Sequence, residues 1–291
     1  MFLQILQITA PVFLLSFAGY VWAWKGLRYD IEFVTRLAVT FSMPCLIFSV
    51  LVKVEIDPAA FRDMALASLA AYVALGVVLW AGLKLAGLGQ RTYLAPGVFA
   101  NTGNVGLPVA LFAYGDQGLG FAIVIFAIMA ILQFSIGIYM VAGTGRLTVV
   151  LKQPLVYASV LGGIFLVQGW TLPVFLLNSL DLAGQISIPL MLLTLGVSIA
   201  KMTVGAVGRA LLLSLAKLTL SAGIALAMVW AFDLTGAARG VLVLQFIMPV
   251  AVTSYLLAER YRAEPDQVAG AVVVSTALSV ITVPVALALL L

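Results

Sequence analysis

Residues 97–108 read Gly-Val-Phe-Ala-Asn-Thr-Gly-Asn-Val-Gly-Leu-Pro. Two asparagines, three glycines and a proline thus interrupt a stretch that is otherwise apolar and of membrane-spanning length. A second apolar stretch breaks at Ile247-Met248-Pro249 and carries Thr253 and Ser254 just beyond. Hydrocarbon offers no hydrogen-bond partners, so a helix can break at membrane depth only where its backbone is buried in protein or lines a wet cavity. Two interrupted helices in matching positions of two halves point to a solute-binding site between them.

The composition sets the environment. Of 291 residues, 64% are hydrophobic and only 9% charged, and the mean hydropathy is +1.20. A soluble domain could not cover its surface with so few charges. The apolar runs are long and do not alternate, so the chain is all-α and polytopic rather than a barrel in membrane lipid. Ten spans are expected, near 2–24, 31–52, 62–86, 92–114, 118–142, 150–170, 176–200, 206–232, 237–258 and 266–291, joined by short loops. The first is too long and too poorly flanked for a cleaved signal peptide and is kept as a helix. There is no histidine and one cysteine, Cys45, which excludes an internal disulfide and argues against a metal site. No cofactor is expected. The net charge of +4 is spread over short loops and does not point to nucleic acid.

Basic residues suggest an orientation. Loops after odd-numbered spans hold Lys25, Arg28, Arg36, Lys84, Arg91, Arg146, Lys152, Lys201, Arg209, Arg260 and Arg262, against Lys53, Arg62 and Arg239 after even-numbered ones. The positive-inside rule puts the odd loops in the cytoplasm and both termini on the extracytoplasmic side. Trp22, Trp24, Trp80, Trp170 and Trp230 fall near span ends, as in an interfacial aromatic belt.

The halves show a weak internal repeat. Phe41-Ser42-Met-Pro44-Cys45-Leu resembles Ile186-Ser187-Ile-Pro189-Leu190-Met, Pro11 matches Pro154, and Pro108 matches Pro249, at offsets of 145, 143 and 141 residues. These offsets imply two five-helix repeats, 1–145 and 146–291. Five is odd, so the second enters the membrane from the opposite face and the repeats are inverted.

At these residues the chain resembles the auxin efflux carrier family, the plant carriers and their bacterial relatives, which include permeases for malonate and malate. The resemblance rests on Asn101-Thr-Gly-Asn104-Val-Gly-Leu-Pro108-Val-Ala-Leu, on Met248-Pro249-Val-Ala-Val and on the tail Ala258-Glu-Arg-Tyr261, Pro265-Asp266, Val273, Ser275 and Pro284. It runs through the whole chain in order. The long central loop of the plant carriers is replaced by a short turn around Gly143-Thr-Gly-Arg146, which favours a bacterial-type member in a plasma membrane. The resemblance implies a fold like the bile acid–sodium symporters. Spans 1, 2, 6 and 7 would form a scaffold that makes a homodimer, spans 3–5 and 8–10 a moving transport domain, and the broken spans 4 and 9 would cross between them. Elevator-type alternating access is the mechanism that arrangement implies.

Several residues can serve a small anion. Half-helix N-termini carry partial positive charge, and Leu107 and Pro108 would open the second half of span 4. Asn101 and Asn104 can cap freed groups or donate to a carboxylate. Thr102 lies between them, and Gly103 and Gly106 permit close backbone approach. On the other break, Gln245, Pro249, Thr253 and Ser254 are candidates. Ser42 and Cys45 are candidate scaffold-side lining, with Pro44 and Pro189 as kinks.

Lys217 is the one ionisable residue well inside a span. Three roles are open to it: offsetting a substrate anion or the half-helix ends, occupying the place where a related symporter holds sodium, or snorkelling to the interface. The acids all fall near span ends, which argues against acid-based proton coupling. The expected function is a secondary or facilitative carrier of mono- or dicarboxylates or auxin-like acids. The alternatives are a sodium-coupled symporter of another solute or an ion channel, though no charged ring or filter repeat is present. Ser214 and Lys217 have the i, i+3 spacing of a Ser-Lys pair, but no oxyanion element accompanies them, and an enzyme is not expected.

Overall fold

The structure, a computed structural model, describes residues 2–143, 153–203 and 207–291. Among the described residues, regular structure is helical apart from one antiparallel bridge between Ala100 and Val250. The helices are α1 (Phe2–Trp24), α2 (Ile31–Leu37), α3 (Met43–Lys53), α4 (Pro58–Leu85), α5 (Gln90–Val98), α6 (Leu107–Leu132), α7 (Ile138–Ala142), α8 (Pro154–Gln168), α9 (Val174–Gln185), α10 (Ser187–Lys201), α11 (Val207–Ala231), α12 (Gly236–Ile247), α13 (Val252–Tyr261) and α14 (Pro265–Leu290). Five-residue π-helical turns join α2 to α3 (Ala38–Ser42), precede α6 (Thr102–Gly106) and join α6 to α7 (Gln133–Gly137).

Local chemistry sets many of the ends. Asp30 and Asp57 cap α2 and α4 by accepting from Phe33 N–H at 3.0 Å and Ala59 N–H at 3.3 Å. Pro58, Pro154 and Pro265 stand at helix starts, where the missing N–H costs nothing. Gly143 and Gly169 end α7 and α8 in the left-handed conformation that a glycine adopts without penalty.

Among the described residues, seven helical stretches are long and apolar enough to cross a membrane, against the ten spans expected. One of them, Thr102–Ala142, has 41 residues. At 1.5 Å per residue it would run ~60 Å, twice a ~30 Å hydrocarbon core. Gly115, at φ 64° and ψ −154°, divides it, inside the gap expected between spans 4 and 5. Expected spans 4 and 9 are split into shorter pieces, α5 with the front of α6 and α12 with α13, so neither counts as one long helix. Span 6 is seen from Pro154 onward, as a helix of 15 residues. Its start, the turn through Arg146, the 145/146 repeat boundary and the orientation argument from Arg146 and Lys152 lie outside the described residues. All five tryptophans are at least partly exposed.

Close helix crossings depend on missing side chains. A Cβ on Gly196 would lie 1.7 Å from the Ser16 carbonyl oxygen, and one on Gly19 would lie 2.1 Å from that of Leu193. Helices α1 and α10 therefore touch backbone to backbone, the small-residue packing available where the hydrophobic effect gives helices no reason to associate. Gly162 and Gly184 likewise bring α8 and α9 onto Leu51 and Leu46 of α3. A second group, α4, α5, α6, α11, α12 and α14, packs around the Ala100–Val250 bridge.

Candidate functional site

The chain leaves helical geometry twice at depth. After α5 it is extended at Phe99, turns through Asn101 and re-enters helix through Thr102–Gly106. After α12 it is open from Met248 to Ala251. Each break frees backbone groups that hydrocarbon would leave unpaired, and the two breaks satisfy part of that need in each other. Asn101 N–H donates to Pro249 C=O at 2.7 Å, and Ala251 N–H donates to Phe99 C=O at 3.2 Å. Pro249 supplies only a carbonyl here, the one backbone hydrogen-bonding group it has.

Side chains and local turns cover the remainder. Asn101 Oδ1 accepts from Asn104 N–H at 3.3 Å, and the Asn101 carbonyl accepts from Val105 and Gly106 at 3.3 and 3.1 Å. On the other strand, Val250 N–H donates to Ser275 Oγ of α14 at 2.9 Å. Pro108 sits in the first turn of α6, more than a turn beyond the break itself, where its ring is tolerated. Gly106 lets the Gln245 amide approach closely: a Cβ there would lie 2.2 Å from Gln245 Oε1, and the amide would have to shift to accept one. Gln245 is fully buried, and neither end of its amide has a partner among the described residues.

One side of this paired segment faces a cavity of about 110 Å³. Asn101, Gly103, Asn104 and Thr253 line it on one side, and Thr35, Met191, Thr194 and Ser198 of α2 and α10 on the other. The N-terminal ends of α13 and of the π turn before α6 both border it, so two partial positive charges converge. Asn101 Nδ2 is buried with no partner among the described residues, which leaves an amide donor at the cavity. Among the described residues, the lining holds no charged one. It continues to Ile31 and Thr35, at the end of the chain's fold that carries Lys25, Arg28 and Arg36.

Four polar lining residues escape the sequence reading. Gln133 Nε2 donates to Thr253 Oγ1 at 2.7 Å from the π turn after α6; its only sequence signal is a lone amide in an apolar run. Thr194 donates to Leu190 C=O at 2.7 Å, so Tyr29 O–H is the donor in their 2.7 Å contact. Burial raises the Tyr29 pKa. Thr35 and Ser198 complete the set.

Other expected residues lie elsewhere. Ser42 is fully buried and donates to Ala38 C=O at 3.5 Å, and neither it nor Cys45 lines the cavity. The π turn Ala38–Ser42 rotates the start of α3, and Thr35, Ala38, Val39 and Met43 face the cavity instead. Thr102, Ser254 and Gln245 are buried behind the lining, and Pro108 and Pro249 serve the backbone.

Lys217 does not snorkel. It is 4% exposed, and its ammonium donates to Met248 C=O at 2.7 Å and Phe246 C=O at 3.4 Å. These are carbonyls at the C-terminal end of α12, on the side of the break away from the cavity lining. The ammonium is thus engaged with carbonyls, and Ser214 Oγ has no partner among the described residues, so the two do not form a nucleophile–base pair.

The model of the family described as membrane transport protein matches residues 146–287. An uncharacterized transporter of Methanocaldococcus jannaschii is 28% identical over 199 residues, 64% of this chain and 64% of its own length. This chain thus matches somewhat less than two thirds of that relative. The matched family is of the auxin efflux carrier type to which the sequence resemblance pointed, and residues 146–287 of this multi-pass chain are similar to it.

Proposed function

We propose that the chain is a secondary or facilitative carrier of small organic anions that works by elevator-type alternating access. The observation that carries this reading is the main-chain pairing of two helix breaks, one from each half, beside a cavity with an unpaired amide donor, Asn101 Nδ2. Ten crossings in two inverted repeats account for the matching breaks and for the π turn and the helix break that precede Pro44 and Pro189 by similar intervals. In this reading α1, α2–α3, α8 and α9–α10 are the scaffold, and the remaining helices are the transport domain. The glycine seam between α1 and α10 supports a rigid scaffold. Dimerisation through it, both termini outside and a plasma-membrane location belong to the same proposal.

Neutral donors and two helix ends suit a carboxylate better than a cation, because every one presents a partial positive charge. Basic residues near Ile31 would raise the local anion concentration at the entrance. Uptake of labelled short mono- and dicarboxylates into proteoliposomes tests the reading. Wild-type protein is expected to show saturable uptake, and Asn104→Ala to lose most of it while keeping its elution profile. Ohmic single-channel currents, or undiminished uptake by the variant, would overturn it.

A further inference from the structure

Helices α4, α5 and α11 leave a second groove, of about 340 Å³, apart from the solute cavity. Val78 and Gly82 of α4 and Leu212 and Leu213 of α11 line it, and Val250 of the bridge lines its buried end. Val78 and Leu212 are 42% and 69% exposed, so the groove opens sideways, where a membrane protein meets lipid rather than water. A Cβ added to Gly82 would meet nothing within 4 Å, which marks open space along this face of α4.

Cations gather at one end of the groove. Arg209 stands one turn before Leu212 and Leu213, on the same face of α11. Its Nη1 donates to the hydroxyl of Tyr93, a lining residue, at 3.4 Å. Lys84, on the last turn of α4, lies 5.1 Å from the ring centroid of Trp80, a residue type that favours the membrane interface. Both cations are exposed, and neither is in an ion pair among the described residues. Glu264 acts on Arg209 through space without pairing with it. Arg91 is turned away, to the Val141 carbonyl at 2.9 Å.

A lone donor lies deeper. Ser214 lines the groove, is 4% exposed, and its hydroxyl has no partner among the described residues. A buried hydroxyl left unpaired is costly and calls for a partner. Ser214 follows Arg209 by five residues, ~7.5 Å along the helix. Lys217 also lines the groove, but its nitrogen is turned to the Phe246 and Met248 carbonyls. Exposed cations at the interface, a hydroxyl below them and an apolar groove below that follow the order of parts in an anionic phospholipid: phosphate, ester carbonyls, acyl chain. Basic pockets between membrane helices hold such headgroups.

We propose that this groove is a site for one anionic phospholipid. Its phosphate sits at Arg209 and Lys84, an ester carbonyl accepts from Ser214 Oγ, and an acyl chain runs between α4 and α11 towards Val250. The site is separate from the solute cavity and does not depend on the carrier reading.

The test is thermal unfolding of delipidated protein in detergent at fixed ionic strength. Dioleoyl phosphatidylglycerol, phosphatidylcholine with the same chains, or glycerol phosphate is titrated in. The wild-type midpoint is expected to rise saturably by about 4 °C or more with phosphatidylglycerol alone, as binding to the folded state requires. Arg209→Gln is expected to lose most of the difference between the two lipids. Gly82→Leu, whose Cβ has room, is expected to fold and to lose the response to phosphatidylglycerol. Equal shifts with both lipids would mean that chains alone fill the groove. A shift with glycerol phosphate would mean a soluble-anion site, and an undiminished response in either variant would mean binding elsewhere. Each of these overturns the proposal. Arg209 is exposed, so Arg209→Gln decides the outcome by itself if Gly82→Leu cannot be extracted. None of these readouts needs transport, so failure here is distinct from failure of the carrier proposal.

Discussion

The two breaks face the same physical problem and solve it by different means. The first closes on itself: Asn101 caps Asn104 with its side chain and Val105 and Gly106 with its carbonyl. The second borrows from its surroundings, taking Ser275 from α14, Lys217 from α11 and, through Thr253, Gln133 from the end of α6. A self-capped break is set by a short local motif. A borrowed one depends on three other helices being in place and so couples those helices to the site.

That contrast can be broken or sharpened experimentally. The largest effect is expected from Asn101→Asp. The substitution keeps an oxygen to cap Asn104 but replaces the unpaired amide donor with negative charge beside the cavity, so stability should survive while anion uptake is lost altogether. Loss of both would mean that the amide's role is structural. Ser275→Ala should act in the opposite sense. It leaves Val250 N–H buried without a partner at a cost of about 1–3 kcal/mol, which should lower the unfolding midpoint while KM stays near wild type. Gln133→Leu should release Thr253 and raise KM several-fold, with a smaller stability change because Thr253 is only half-buried. Cys45→Ser is expected to change uptake least, since the residue lies away from the cavity. A large uptake defect there would show that the lining shifts during transport.

The same contrast explains what is legible in the sequence. The first break can be read because asparagine, glycine and proline act within a few residues of one another, and its capping is a matter of side-chain reach. The second can be read only as a proline in an apolar run. Its partners, Ser275, Gln133 and the carbonyl contacts of Lys217, lie 25 to 120 residues away along the chain from the groups they serve. No periodicity encodes such contacts. Ser42 and Cys45 are expected at the cavity and lie away from it for a simpler reason: a uniform helical period does not anticipate a π turn, and one extra residue per turn changes which face looks inward. The kinks before Pro44 and Pro189 are legible because proline acts on its own turn.

The bridge between Ala100 and Val250 is made wholly by the main chain. It is therefore indifferent to which side chains stand at those two positions and sensitive to how many residues separate them from the helices on either side. Extended segments alternate their faces with every residue. Inserting a single residue between Val98 and Asn101 would turn the asparagine away from the solute without altering the chemistry of any existing group, so length rather than identity is the tightly specified property of this stretch.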